Sequence, residues 1–431
     1  MHHDVAIVGG GPAGACLAWS LAASGLDVVV LDRAHFPRPK PCAEYLSPEA
    51  SRILAKMGVL EDIEAGGAAQ LRGMTVHAPD GTVFRGEFAA AHGFRGFRER
   101  GVAIPRTELD TLLLDRARAA GARVIEGARV SDVLRDAQGR ALGVRTGGMH
   151  GDIRRARLVV GADGLRSVVA RRLGLVRSAR WPRRLALVAH YEGVRGVGAY
   201  GEMHVHRDGY LGIADVGRGR TNVALVVPTH AARAMGGDPE AFMDAWIGVH
   251  PQLADRLAHA RRLAPPMATG PFAVRARRAW APGAALVGDA ADFFDPFTGE
   301  GIFAALRGAE LLAGAVGTAD AFASARALDT ALATYDRART AAFRGKWRVE
   351  RLVGAAVAVP WLMNRAARAL SRRTDLADLL VGVAGDFVPP AEVLHPRFIA
   401  ALLGAAVMPA RWLDAPAEAL RQPPDVSHPT Q

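Results

Sequence analysis

Hydrophobic positions follow two rhythms along this chain. Near both ends, short unbroken apolar runs are followed by apolar positions at helical spacing, as buried parallel strands and their helices require. The run at 5–8 leads into "GGGPAGACLAWSLAASG", a helix stopped by Gly25, and a second apolar strand ends in Asp32. Towards the other end, "AALVGDA" from Ala284 precedes a helix marked by Ile302, Ala305, Leu306, Ala309 and Leu312.

Between them the period drops to two. "GMTVHAPDGTVFRGEF" reads as a strand pair turning at Asp80 and Gly81. Residues 123–160 read as a small antiparallel meander, broken at 136–139 and at Gly147 and Gly148. The segments "RRLALVAHYEG", "GEMHVHR", "YLGIADV" and "RTNVALVVP" alternate across 184–228, and two helices follow. Helices are also expected at 48–56 and at 106–120, the latter with Thr107 as its cap. Beyond about 325 the chain is helical, rich in Ala and Arg, and punctuated by Pro360, Pro389, Pro390, Pro396 and Pro409. Its apolar faces suit packing against the core.

The pattern predicts an α/β protein: a discontinuous Rossmann-type nucleotide domain, an inserted antiparallel-sheet substrate domain, and a C-terminal helical region. The nucleotide domain takes 1–75, 99–180 and 269–325, the substrate domain 76–98 and 181–268, and the helical region 326–431. The tail "RQPPDVSHPTQ" reads as disordered, and no internal repeat is visible.

Composition narrows the function. The net charge of +11 is scattered and almost wholly arginine, since Lys40, Lys56 and Lys346 are the only lysines. That distribution fits a solvated basic surface rather than a nucleic-acid footprint. Cys16 and Cys42 cannot form a zinc site, and no C-x-x-C pair serves dithiol chemistry. A cytoplasmic protein is expected, with peripheral membrane contact left open, because no leader pattern and no run of about 18 apolar residues occurs. No obligate protein partner is indicated.

The first chemical motif is Gly9-x-Gly11-x-x-Gly14, set in strand, turn, helix and strand, with Asp32 following 23 positions after Gly9. In that context Gly9 makes the tight turn, Gly11 admits a pyrophosphate and Gly14 lets helix and strand close up. Asp32 would accept hydrogen bonds from an adenosine ribose. A second motif, "GDAADFFDPFTGEGI", puts a Gly-Glu-Gly turn at the start of a helix, where unpaired N–H groups favour an electron-rich ligand.

With "GADGLRS" between them, these motifs make the chain resemble the FAD-dependent aromatic hydroxylase and geranylgeranyl reductase superfamily, the fold of para-hydroxybenzoate hydroxylase. The resemblance covers about 4–320. It implies that Gly9, Gly11, Gly14 and Asp32 hold the ADP half of FAD. It places Arg106 at the flavin and phosphate region, and Asp163 and Gly164 near FAD and an incoming NAD(P)H. Asp289 is matched to the ribityl and phosphate portion, and Pro296, Gly299 and Gly301 to the backbone beside the isoalloxazine. Arg33, Val130, Glu300 and Ile302 complete the cofactor set. Glu300 is expected to start the helix facing solvent rather than to catalyse.

"PKPCAEYLSP" resembles the P-C-G loop of the reductases, with Ala43 in the glycine position, so Cys42 is a candidate beside the flavin. The reductases' Tyr-x-Trp-x-Phe-Pro would fall on "YLGIAD", where Tyr210 remains but Gly212 replaces Trp. The expectation is therefore an FAD-dependent monooxygenase. It would use NAD(P)H and O2 through a flavin C4a-hydroperoxide on a hydrophobic aromatic or polyketide-like substrate. The alternatives are reduction of isoprenoid or polyketide C=C bonds and, outside enzymes, a prenyl- or lipid-binding module. Halogenation ranks lower. His190, Tyr191 and Tyr210 are the substrate candidates. His204 and His206 share a strand face but show no third metal ligand, so no metal is expected.

Overall fold

Strand His2–Val8 lies inside a parallel sheet because all but its first residues are apolar and both its faces are covered. The computed structural model describes residues 2–90, 92–148, 151–178 and 183–403, so Pro409 and the tail at 421–431 lie outside the described residues. The sheet runs in the order Trp280–Ala281, Ala284–Leu286, Ile153–Gly161, His2–Val8, Val28–Leu31 and Arg123–Ile125. Helices Pro12–Ala23, Arg106–Ala119 and Gly301–Val316 supply apolar faces to the core built around it.

Two local expectations need correction. Arg123–Ile125 does not begin the meander but pairs in parallel with Val28–Leu31. A three-residue strand is too short for its period to reveal which sheet it joins. The antiparallel part is Val130–Arg135, Ala141–Thr146 and the first half of Ile153–Gly161, whose buried second half returns to the parallel sheet. Nor does Thr107 cap its helix. Pro105 is the cap residue and offers no side-chain bond, while the Arg106 N–H donates to Glu44 Oε1 at 2.8 Å from a distant loop.

The antiparallel sheet takes the order Arg261–Arg262, Arg184–Glu192, Arg220–Pro228, Tyr210–Asp215, Tyr200–Val205, Gly73–His77 and Val83–Glu87. Alternation divides its side chains between two faces. Leu187, Ala189, Tyr191, Leu211, Val223 and Leu225 pack under helices Pro239–Gly248 and Pro251–Leu257. Ala186, Val188, Val205, Tyr210 and Val226 face the other way, towards Phe272, Phe293 and the C-terminal helices.

Helix Ala325–Ala358 ties the halves together, with Tyr335 Oη donating to Leu286 O at 2.8 Å. Helix Thr374–Ala384 lies so close on Val83–Glu87 that a Cβ at Gly86 would sit 2.5 Å from Ala377 O. Among the described residues, no helix is long and apolar enough to cross a membrane.

Candidate functional site

The glycine-rich turn has the shape its spacing requires. Gly9 has φ +104°, and a Cβ there would lie 2.4 Å from Ala162 O. A Cβ on Gly14 would lie 1.9 Å from Gly9 O, so helix and strand can meet this closely only with glycine. Helix Pro12–Ala23 has neither a side-chain cap nor an acid in its first turn, which leaves its N–H groups to an anion. Asp32 is buried, and its carboxylate accepts from the Gly10 N–H at 2.7 Å and the Ala34 N–H at 2.8 Å. Asp32 therefore shapes the loop directly. Arg33 is exposed, and Val130 is buried in its strand.

Cations gather at this turn. A Cβ on Gly11 would come within 3.4 Å of Arg38 Nη2 and 3.6 Å of Arg106 Nη2. Arg106 is buried and grips Asp110 with both arms, at 2.6 and 2.7 Å, while Arg38 reaches the same carboxylate at 3.1 Å. Burial works against the Arg106 charge, but Asp110 and the Cys42 thiol beside it more than offset this, and its pKa is raised. Burial lowers that of Arg38, against the pull of Asp110. Two guanidiniums sharing one acid leave positive charge over for a diphosphate.

A second cluster joins the Cys42 loop to the antiparallel sheet. Glu44 is 2% exposed and holds φ +60°, a strained backbone for a non-glycine residue. Its Oε2 lies 2.6 Å from His190 Nε2 and accepts from Asn222 Nδ2 at 3.0 Å. Asn222 Nδ2 also donates to Cys42 O at 2.9 Å, and the Glu44 N–H to Cys42 Sγ at 3.3 Å. With Oε1 on the Arg106 N–H, Glu44 binds the loop, the sheet and the nucleotide-domain helix at once.

The loop before helix Gly301–Val316 is braced from below. Asp295 accepts from Tyr210 Oη at 2.7 Å and from the Phe297 N–H at 3.1 Å, and it pairs with buried Arg184 at 2.6 Å. Tyr210 thus supports the turn at Pro296 rather than standing free as a substrate contact. Gly299 has φ +72°, and a Cβ there would meet Tyr45 at 2.9 Å. Asp289 lies 3.5 Å from Lys40, which brings the two loops together. Gly301 opens the helix, and Ile302 is buried in its first turn.

Glu300 departs from expectation. It is 6% exposed and pairs with Lys346 at 3.2 Å, because helix Ala325–Ala358 covers the position a surface helix would leave to water. Lys346 also contacts Asp386. Burial raises the Glu300 pKa against Lys346, and burial with Glu300 nearby pushes Glu350 up to about 8.

Other candidates are placed as follows. Asp163 Oδ2 accepts from the Val168 N–H at 2.6 Å at the start of the short helix Val168–Arg172, while its Oδ1 is buried without a partner. Gly164 has φ +76° and lies near Lys40 Nζ. His190 and Tyr191 leave opposite faces of their strand, so they cannot line one pocket; Tyr191 is buried on the helix-covered face and accepts from Arg262 at 2.8 Å. His206 packs on His250 and Trp246, and His204 meets Glu202 of its own strand and His77, a partner that sequence spacing concealed.

Glu44, Asn222, Arg38, Asp110, Asp295 and Lys346 emerge only from the structure. Glu44 had one signal, an acid two residues from Cys42 in a proline-stiffened loop. The residues present fit FAD: glycines whose Cβ would obstruct the backbone, unpaired helix N–H groups, surplus arginine and a buried orphan carboxylate oxygen at Asp163.

Comparison with known proteins agrees. The family model described as "FAD binding domain" matches residues 2–347. "Digeranylgeranylglycerophospholipid reductase 2" of Methanopyrus kandleri is 32% identical over 314 residues, covering 71% of this chain and 74% of that protein. "Menaquinone reductase" of Mycolicibacterium smegmatis is 28% identical over 309 residues, covering 69% and 72%. Among solved structures, the myxobacterial chondrochloren halogenase CndH is similar with a TM-score of 0.72 and 25% identity, covering 94% of this chain and 91% of that one.

Proposed function

We propose, for a chain that belongs to the FAD-binding domain family and is an FAD-dependent oxidoreductase, the reduction of a carbon–carbon double bond in a hydrophobic, isoprenoid-like molecule. The observation that carries this reading is the contact of Glu44 with His190 beside Cys42. Support comes from the two reductases similar in sequence, one of them named for a prenylated phospholipid. The hydroxylase expected from the sequence needs no proton donor at this position, whereas saturation of an alkene does.

Flavin held here and reduced by NAD(P)H would supply hydride chemistry at one carbon of the double bond, and the other carbon must receive a proton. As a carboxylate Glu44 accepts the hydrogen bond from His190 Nε2–H, and the proton for the second carbon would leave the Cys42 thiol, with solvent restoring it. Asn222 holds both Glu44 and the Cys42 carbonyl, which ties the Cys42 backbone to the Glu44–His190 pair. Arg106, Arg38 and the first turn of helix Pro12–Ala23 would hold the diphosphate, and the backbone from Pro296 to Gly301 would line the flavin. NAD(P)H serves as the transient electron donor, and O2 is not consumed in turnover. The half-buried His190 lies on the same sheet face as Val188.

The experiment is turnover of reduced protein with a prenylated lipid under argon. Cys42→Ser and His190→Gln should each lose at least a hundredfold in rate with FAD retained. Full rates in both variants would return the site to the hydroxylase.

A further inference from the structure

The helix-covered face of the antiparallel sheet carries a polar corner remote from Cys42 and Glu44. His77 ends strand Gly73–His77 and stands beside His204 on the parallel neighbour Tyr200–Val205. Glu202 precedes His204 by two residues, so all three side chains leave the same face. Glu202 Oε2 lies 2.9 Å from His204 Nε2 and 4.0 Å from His77 Nε2, and the two imidazoles stack with centroids 4.1 Å apart. Three donor atoms lie within 4.8 Å of one another. Ligands held tetrahedrally at about 2.05 Å are about 3.3 Å apart, so the observed separations bracket that spacing.

A cation already points into this corner. Arg256 Nη1 lies 2.5 Å from Glu202 Oε2 and 3.4 Å from His204 Nε2, and its Nη2 donates to Glu202 Oε1 at 2.9 Å. His204 Nε2 cannot both donate to the carboxylate and accept from the guanidinium. A divalent cation removes that conflict by taking a lone pair from each. Arg256 Nε donates to Arg195 O at 2.8 Å.

We propose that His77, Glu202 and His204 form a site for a divalent transition cation of the zinc class, with Arg256 as the group it displaces. The nitrogen and oxygen donor set suits Zn2+ or Co2+. Bound there, the ion clamps strand Gly73–His77 to strand Tyr200–Val205 and stabilises the antiparallel sheet. The site is independent of the reaction proposed above.

The test is titration of chelator-treated, flavin-loaded protein with Co2+, followed by displacement with Zn2+. One Co2+ per chain with the intense visible bands of a four-coordinate ion is expected. His77→Ala and His204→Ala should each weaken binding at least tenfold with flavin content unchanged. Arg256→Met, with Arg256→Gln as a second variant, should tighten it at least tenfold. Equal affinities in all these proteins, or no binding in the wild type and both Arg256 variants, would overturn the proposal.

Discussion

His190 Nε2 and Glu44 Oε2 lie 2.6 Å apart although 146 positions separate them in the chain. The contact joins a strained loop of the nucleotide domain to the first long strand of the antiparallel sheet. Glu44→Gln keeps the shape but can turn an N–H towards His190, which frees the imidazole to change tautomer. Turnover should fall at least tenfold while FAD stays bound. Glu44→Ala should also destabilise the protein by about 3 kcal/mol, because it strands buried polar partners; denaturant unfolding measures this.

Gly14→Ala and Gly11→Val should fail differently. The first drives a methyl group into Gly9 O and should prevent soluble folding. The second meets only the Arg38 and Arg106 side chains in the protein, so it should fold but emerge from gel filtration without flavin absorbance. A yellow Gly11→Val protein would contradict the assignment of this turn to the diphosphate.

Arg106 and Asp110 form a buried bidentate pair at the same place. Asp110→Asn should cost about 3–5 kcal/mol, since it leaves a buried guanidinium without its counter-ion. Arg106→Lys should weaken FAD binding at least tenfold by losing the fork, as flavin fluorescence titration would show.

Stability should fall on mild acidification. Burial pushes His77 and His206 down from 6.5 to about 4, so the unfolded chain takes up protons first as pH falls between those values. Their contribution is fully present above pH 6.5 and is lost towards pH 4. Thermal unfolding at about pH 5 should therefore occur below that at about pH 7. Replacing both residues with Gln should flatten the difference, and an unchanged slope would contradict it.

The nucleotide domain was legible because its signals are local. Gly9, Gly11 and Gly14 act within one turn, and apolar runs announce strands buried on both faces. The network at Cys42 was not, because Glu44, His190 and Asn222 meet only through pairing of Arg184–Glu192 with Arg220–Pro228, where His190 lies opposite Asn222. Glu300 looked exposed because nothing nearby in sequence foretells Lys346, on a helix that begins only at Ala325. His204 found its partner in His77 through a parallel pairing that joins distant strands.

The most direct measurement mixes reduced protein with a prenylated lipid, first under argon and then under 18O2. Oxidised flavin absorbance should return under argon as the saturated product forms one for one, and the product made under 18O2 should carry no label. Flavin that stays reduced under argon, together with labelled product under 18O2, would contradict the reductase.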